Sequence, residues 1–161
     1  MRRIPLLSSF AAIGLVLAVV PSPAAGQADE IPTISGRYFT SGSAMVKVSG
    51  SVQIDQEVPI NEKASFGDGE MTWLQFGVSG AAEPNALVTY QPSEVGITLG
   101  KGKFIATAGV MAGEKPQCTG KTEVTETSVT GHYTCPGIVS HDGATGQMGK
   151  VDIEIRFTAK S

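Results

Sequence analysis

Apolar and polar residues alternate one by one over long stretches of the chain. Near the C-terminus, Val151, Ile153, Ile155, Phe157 and Ala159 alternate with polar or charged residues. Because only a strand turns every second residue to one face, this period of two predicts a half-buried antiparallel strand. From residue 27 onward, the sequence holds no apolar stripe of helical period over three turns, so we expect little helix.

The alternation and the turn residues that interrupt it predict a mostly antiparallel β-protein. The predicted strands lie at 33–40, 44–54, 71–79, 86–90, 95–99, 103–110, 119–124, 129–135 and 149–159. A further short strand is expected around 58–60, because 55–69 is long for a bare loop. Seven to nine short strands are typical of an antiparallel β-sandwich, immunoglobulin-like or jelly-roll-like; a small closed β-barrel is the alternative.

The N-terminus has the order of a secretory signal peptide. Arg2 and Arg3 precede an uncharged run at 10–20, and small residues follow up to Gly26. This order predicts a signal peptide over 1–26, cleaved near Gly26 and Gln27, then a linker at 27–32 and one domain at 33–161. The expected location is secreted or periplasmic, with no membrane span once the signal peptide is removed.

The chain has 2 cysteines, Cys118 and Cys135, and export would carry both to an oxidising compartment. They flank a hairpin pattern. If the two face each other, Tyr133 faces Gly120 and Val129 faces Val124, so all six residues share one face, and a four-residue turn falls at 125–128. The sequence therefore predicts a structural disulfide, rather than a reactive thiol or a zinc site.

Composition excludes some classes of function. The 12 basic residues are outnumbered by 15 acidic ones, which argues against a general nucleic-acid binder, since such a protein needs a basic face for phosphates. The two histidines and two cysteines lack the spacing of a metal site, and the sequence has no phosphate-binding loop. We expect no metal and no cofactor.

Four residues are candidates for ligand binding. Trp73 and Tyr90 form an aromatic platform for a sugar or a peptide if they are exposed; alternatively, Trp73 lies on a central strand that is covered on both faces. His141 and Asp142 pair a histidine with an acid, but the sequence Ser140-His141-Asp142-Gly143 is equally that of a surface turn.

These features favour an exported, non-enzymatic binding or structural module of the cell envelope or extracellular space, with a protein or glycan partner. A small barrel that carries an apolar ligand and a hydrolase with a site on its loops are the alternatives. The last strand and the preceding Thr130-Gly131-His132-Tyr133 resemble secreted bacterial β-sandwich antigens and lipoproteins. The likeness covers less than a third of the chain, and no site residue follows from it.

Overall fold

A computed structural model describes residues 36–68, 71–91, 94–110 and 115–161. The predicted signal peptide at 1–26, the linker at 27–32 and the first residues of the predicted strand at 33–40 lie outside the described residues.

The described residues form eleven strands and one short 3-10 helix at Glu62–Ala64. The strands are β1 (Arg37–Tyr38), β2 (Ser41–Gly50), β3 (Ile54–Pro59), β4 (Phe66–Asp68), β5 (Met71–Phe76), β6 (Pro84–Gln91), β7 (Glu94–Lys101), β8 (Phe104–Val110), β9 (Thr119–Val124), β10 (Ser128–Asp142) and β11 (Gln147–Lys160).

The strands make one antiparallel sheet that curls into a half-barrel. Its order is β1-β4-β5-β6-β7-β8-β10-β11-β2-β3, and β9 pairs with β10 beside this path. The end of β3 reaches back to β5, where Ile60 bridges to Phe76 and the amide of Gly77 donates to the carbonyl of Pro59 at 2.8 Å. The sheet therefore has a distinct inner face and outer face.

Alternate residues of the strands fill the inner face. They form one apolar cluster, in which Ile97, Ile155 and Phe76 are fully buried. The rings of Phe76 on β5 and Phe157 on β11 lie 6.0 Å apart, so side chains from strands far apart in the sheet order meet in the interior. Burial of this apolar face drives the curl of the sheet.

The all-β, antiparallel prediction is confirmed, whereas the predicted sandwich of seven to nine strands is not. The barrel alternative fits in part, because the sheet is single and curled. The strand count was too low for two reasons. First, β4 is only three residues long, too short to show a period of two, and no strand was predicted there, whereas β1 lies within the predicted strand at 33–40. Second, the stretch predicted as one strand at 44–54 is a hairpin.

That hairpin turns between Val48 of β2 and Ile54 of β3, which are paired with each other. Both side chains point inward, so the alternation of apolar residues continues across the turn and resembles one strand. Gly50 has a φ of +117°, a backbone conformation that residues with a side chain rarely adopt. The same region supports the predicted strand around 58–60, since Val58 lies in β3 and Ile60 forms the bridge to β5.

The predicted disulfide hairpin is confirmed in detail. Cys118 and Cys135 are bonded, with their Cα atoms 4.1 Å apart. In the same hairpin, β9 pairs with β10 so that Tyr133 faces Gly120 and Val129 faces Val124. The turn at 125–128 closes with a hydrogen bond from the Thr125 amide to the Ser128 carbonyl at 2.8 Å.

Beyond the disulfide, β10 continues for seven more residues past the predicted end at 135. A bulge at Pro136 and Gly137 shifts the register against β11. Gly137 has a φ of +67°, and its amide donates to the Asp152 carboxylate at 2.7 Å. Because of the bulge, one long strand pairs with β9 at its first half and with β8 at its end.

Candidate binding surface

One row of residues crosses six neighbouring strands in register on the outer face. The pairing runs from β1 through β4, β5, β6 and β7 to β8. Paired residues of antiparallel strands point to the same side of a sheet, so the members of this row are neighbours in space. We call it the outer row; its residues are Tyr38, Phe66, Trp73, Thr89, Gly96 and Gly109.

The first three members of the outer row are aromatic and in contact. The ring centroids of Phe66 and Trp73 are 5.0 Å apart, and those of Tyr38 and Phe66 are 6.4 Å apart. The rings are tilted against each other, and Tyr38 at the end of the strip is 68% exposed. Packing between the rings holds each of them in place, so the strip presents an ordered apolar surface to solvent.

The last two members are glycines, which leave a depression beside the aromatic strip. Gly96 and Gly109 are paired, so two adjacent strands both lack a side chain at this point. A methyl group placed on Gly96 would lie 2.6 Å from Oγ1 of Thr89, and one on Gly109 would lie 2.8 Å from the Val95 carbonyl. The resulting depression has a volume of about 270 Å³.

Polar side chains of the outer face and apolar ones, among them Tyr90 and Val95, line the rest of this depression. Gln91, Glu94, Thr107 and Gln117 contribute amides, a carboxylate and a hydroxyl. The amide of Gln117 donates to the Gly109 carbonyl at 3.1 Å, which fixes the segment before the disulfide against the edge of β8. The surface thus combines aromatic rings with hydrogen-bonding groups over a floor of exposed backbone.

A second part of the outer face carries charged side chains. Lys121, His132, Arg156, Met45 and Glu57 lie in one register row across β9, β10, β11, β2 and β3. They line a depression of about 370 Å³. We call this region the charged face.

The charges of the charged face largely satisfy one another. The Glu154 carboxylate lies 2.7 Å from the Arg156 guanidinium and 3.3 Å from Nε2 of His132. Lys121 pairs with Glu123, and Ser43 donates to Glu57 at 2.6 Å. Exposed pairs of this kind contribute little to stability, and a region that neutralises itself offers little net charge to a ligand.

The ionisation of Glu154 gives a testable consequence. Desolvation raises the pKa of this carboxyl, but the hydrogen bond and charge of Arg156, helped by His132, outweigh it and lower the pKa below the ordinary glutamate value. Any stability linked to this group is present above the ordinary glutamate pKa and is lost as the pH falls through the lowered pKa.

We expect Arg156→Gln to raise the pKa of Glu154, as measured by carbon NMR titration of the side-chain carboxyl. Arg156→Lys is the control, because it keeps the positive charge; equal pKa values in the wild type and Arg156→Gln would contradict the assignment.

The structure separates the two aromatic candidates from the sequence. Trp73 is half-buried on the outer face, where one side of its ring packs against Phe66. Tyr90 points to the interior and is 1% exposed. Its hydroxyl has no well-formed hydrogen bond among the described residues, and burial raises its pKa, with a small opposing effect of Thr72. Tyr90 therefore lies on the opposite face of the sheet from Trp73.

His141 and Asp142 lie at the end of β10, before the turn at 143–146. The two carboxylate oxygens of Asp142 accept hydrogen bonds from the Ala144 amide and the Thr145 hydroxyl, both at 2.8 Å. These bonds, with a smaller contribution from His141, lower the pKa of Asp142. The geometry of Asp142 is that of a residue that stabilises a turn. His141 is exposed beside it, between Ile105 and Met148 on the neighbouring strands.

Trp73 is the one member of the outer row that was a candidate from the sequence; Tyr38, Phe66, Thr89, Gly96 and Gly109 were not. No local motif marks these positions, since only the register of six strands brings them together.

Across the part of the chain that the structure describes, no group of three histidine, cysteine, aspartate or glutamate residues is arranged to hold a metal ion. No helix among the described residues is long and apolar enough to cross a membrane. Comparison with protein families, curated proteins and solved structures finds no match to this chain.

Proposed function

We propose that the protein is a non-enzymatic binding module that holds a glycan on its outer row. The observation that carries this proposal is the in-register alignment of Tyr38, Phe66 and Trp73 with a glycine-floored depression. The disulfide suggests an oxidising setting outside the cytoplasm, where glycans of cell surfaces and matrices are available.

The chemistry of the outer row suits a sugar chain. The C–H faces of pyranose rings stack on aromatic rings, and sugar hydroxyls need donors and acceptors at the edges of the ring. The aromatic strip supplies the first, and Gln91, Glu94 and Thr107 supply the second. With neighbouring strands about 4.8 Å apart, the row is about 24 Å long, which suits several sugar units in an extended chain.

The alternative of an apolar carrier receives less support. A carrier needs an interior left partly empty by its side chains. Here the inner face is filled by one apolar cluster, and Phe76 and Phe157 meet across it. The depression at the charged face is lined mainly by side chains of the outer face, whereas side chains of both faces line the one beside Gly96 and Gly109.

Trp73 is the sole tryptophan of the chain, so its fluorescence reports directly on the proposed site. We expect the full chain to bind at least one class of glycan on a broad array, and the soluble oligosaccharide of that class to change the tryptophan emission on titration. Tyr38→Ser and Gly96→Val should each weaken binding about tenfold or more, the first by removing a ring and the second by filling the depression.

Val139→Ser is the matched control, because Val139 is also an exposed apolar residue of the outer face, at 56% against 68% for Tyr38, but it lies outside the outer row. A folded protein that binds no glycan on the array contradicts the proposal. Glycan that binds but is recovered cleaved would favour the hydrolase alternative over the binding module.

A further inference from the structure

β9 is an edge strand of the sheet. Among the described residues it pairs with β10 alone, and it lies beside the main strand order. Most of its residues are exposed. The disulfide immediately before Thr119 ties one end of β9 to β10, and the hydroxyls of Thr122 and Tyr133 lie 2.8 Å apart at its middle. The edge is therefore tied to β10 at two points and can accept another strand on its other side.

The hairpin geometry determines which backbone groups of β9 face outward. The turn hydrogen bond makes Thr125 and Ser128 a hydrogen-bonded pair. Pairs alternate along an antiparallel ladder, so Glu123 and Lys121 direct their amides and carbonyls toward β10. The backbone groups of Gly120, Thr122 and Val124 then point to the free edge.

The side chains of this strand are complementary to those of its own copy. Lys121 and Glu123 stand on either side of Thr122, on the outer face. An antiparallel copy related by a two-fold axis at Thr122 places each lysine opposite the glutamate of the other copy. The same axis pairs the outward backbone groups of Thr122 with their equivalents, and those of Gly120 with those of Val124.

We propose that two copies of this chain associate through β9, antiparallel and centred on Thr122. The contact comprises about six main-chain hydrogen bonds, two for each of three pairs. On association, each copy loses the ion pair between its own Lys121 and Glu123, and two Lys121–Glu123 pairs form between the copies instead. A closed two-fold contact uses the free edge of β9 once in each copy, so β9 cannot add a third copy. The charged faces of the two copies then adjoin at the axis.

The specificity of this contact is tested by charge. Lys121→Glu places like charges opposite each other at the axis, and so does Glu123→Lys; each should therefore weaken association strongly. The double variant with both changes restores opposite charges and should associate as the wild type does. Sedimentation velocity of the full chain, over a range of concentrations and at low and high salt, measures the monomer and dimer fractions.

The backbone pairing is tested separately at Thr122. Proline at this position removes an amide that faces the free edge, so Thr122→Pro should abolish association while β9 stays paired with β10. Thr122→Val is the matched control, because it loses the same hydroxyl but keeps the amide, and it should associate. Circular dichroism of each variant establishes that the fold is retained.

A wild type that remains monomeric at all concentrations overturns the proposal. A dimer that persists in Thr122→Pro also overturns it. So does a variant carrying both Lys121→Glu and Glu123→Lys that remains monomeric. None of these outcomes bears on the glycan proposal, whose test is the fluorescence of Trp73.

Discussion

Replacing Ile155 with aspartate is expected to unfold the protein. Ile155 is fully buried on β11, between Tyr133 of β10 and Val46 of β2. The substitution would place a carboxylate among apolar side chains with no partner, at a cost of about 4 kcal/mol or more. Since a domain of this kind has only about 5–15 kcal/mol of stability, the loss is a large fraction of the total. Urea denaturation followed by circular dichroism measures it.

Glu154→Lys is the matched control, because residue 154 is the chain neighbour of Ile155 but points to the outer face. Its contacts with Arg156 and His132 are lost, yet the new lysine remains hydrated. We expect its denaturation midpoint to stay close to that of the wild type. A cooperatively folded Ile155→Asp variant of wild-type stability would show that the assignment of the inner face on β11 is wrong.

Removing the disulfide is the second change with a large expected effect. Cys118 and Cys135 are 17 residues apart, and closing a loop of this length constrains the unfolded chain. Changing both to serine should lower the free energy of unfolding by about 2–4 kcal/mol. The comparison is made by urea denaturation of the wild type and the double variant, each with and without a reductant.

The double variant itself supplies the control, because a reductant should destabilise the wild type and leave the variant unchanged. Thiol quantitation of the denatured, unreduced wild type should find no free thiol. Two free thiols would contradict the bond. Glycan binding should survive wherever the variant is folded, because the disulfide lies outside the outer row.

The C-terminal third of the fold was largely predictable from the sequence. The strand at 119–124 was predicted with the bounds observed for β9, and the register of the disulfide hairpin was predicted pair by pair. The physical reason is that a disulfide between two strands fixes which of their residues face each other. The register set by Cys118 and Cys135 places Tyr133 opposite Gly120, as observed. β11 was predictable for another reason, because its ten residues at 151–160 alternate between apolar and polar without interruption.

The candidate site was not predictable in the same way. A period of two states which residues share a face of one strand, but it carries no information on which strands are neighbours or how they are staggered. The outer row depends on the register of five successive strand pairs. The end of β5 shows the limit locally: Val78 continues the apolar alternation of Leu74 and Phe76, yet Gly77 adopts a φ of +70° and Val78 is 63% exposed.

The position of β11 has a consequence for how the protein is made. β11 lies inside the sheet, between β10 and β2, although it is the final strand of the sequence. During synthesis, β2 can pair early with β3, but its second partner, β11, exists only after residues 147–160 have been made. Until then the polypeptide cannot bury its apolar faces as a unit, and a chain that stops short of residue 147 lacks the strand that joins its two halves. We therefore expect the described sheet to close only after β11 has been made, and a chain truncated before residue 147 to remain without cooperative folding.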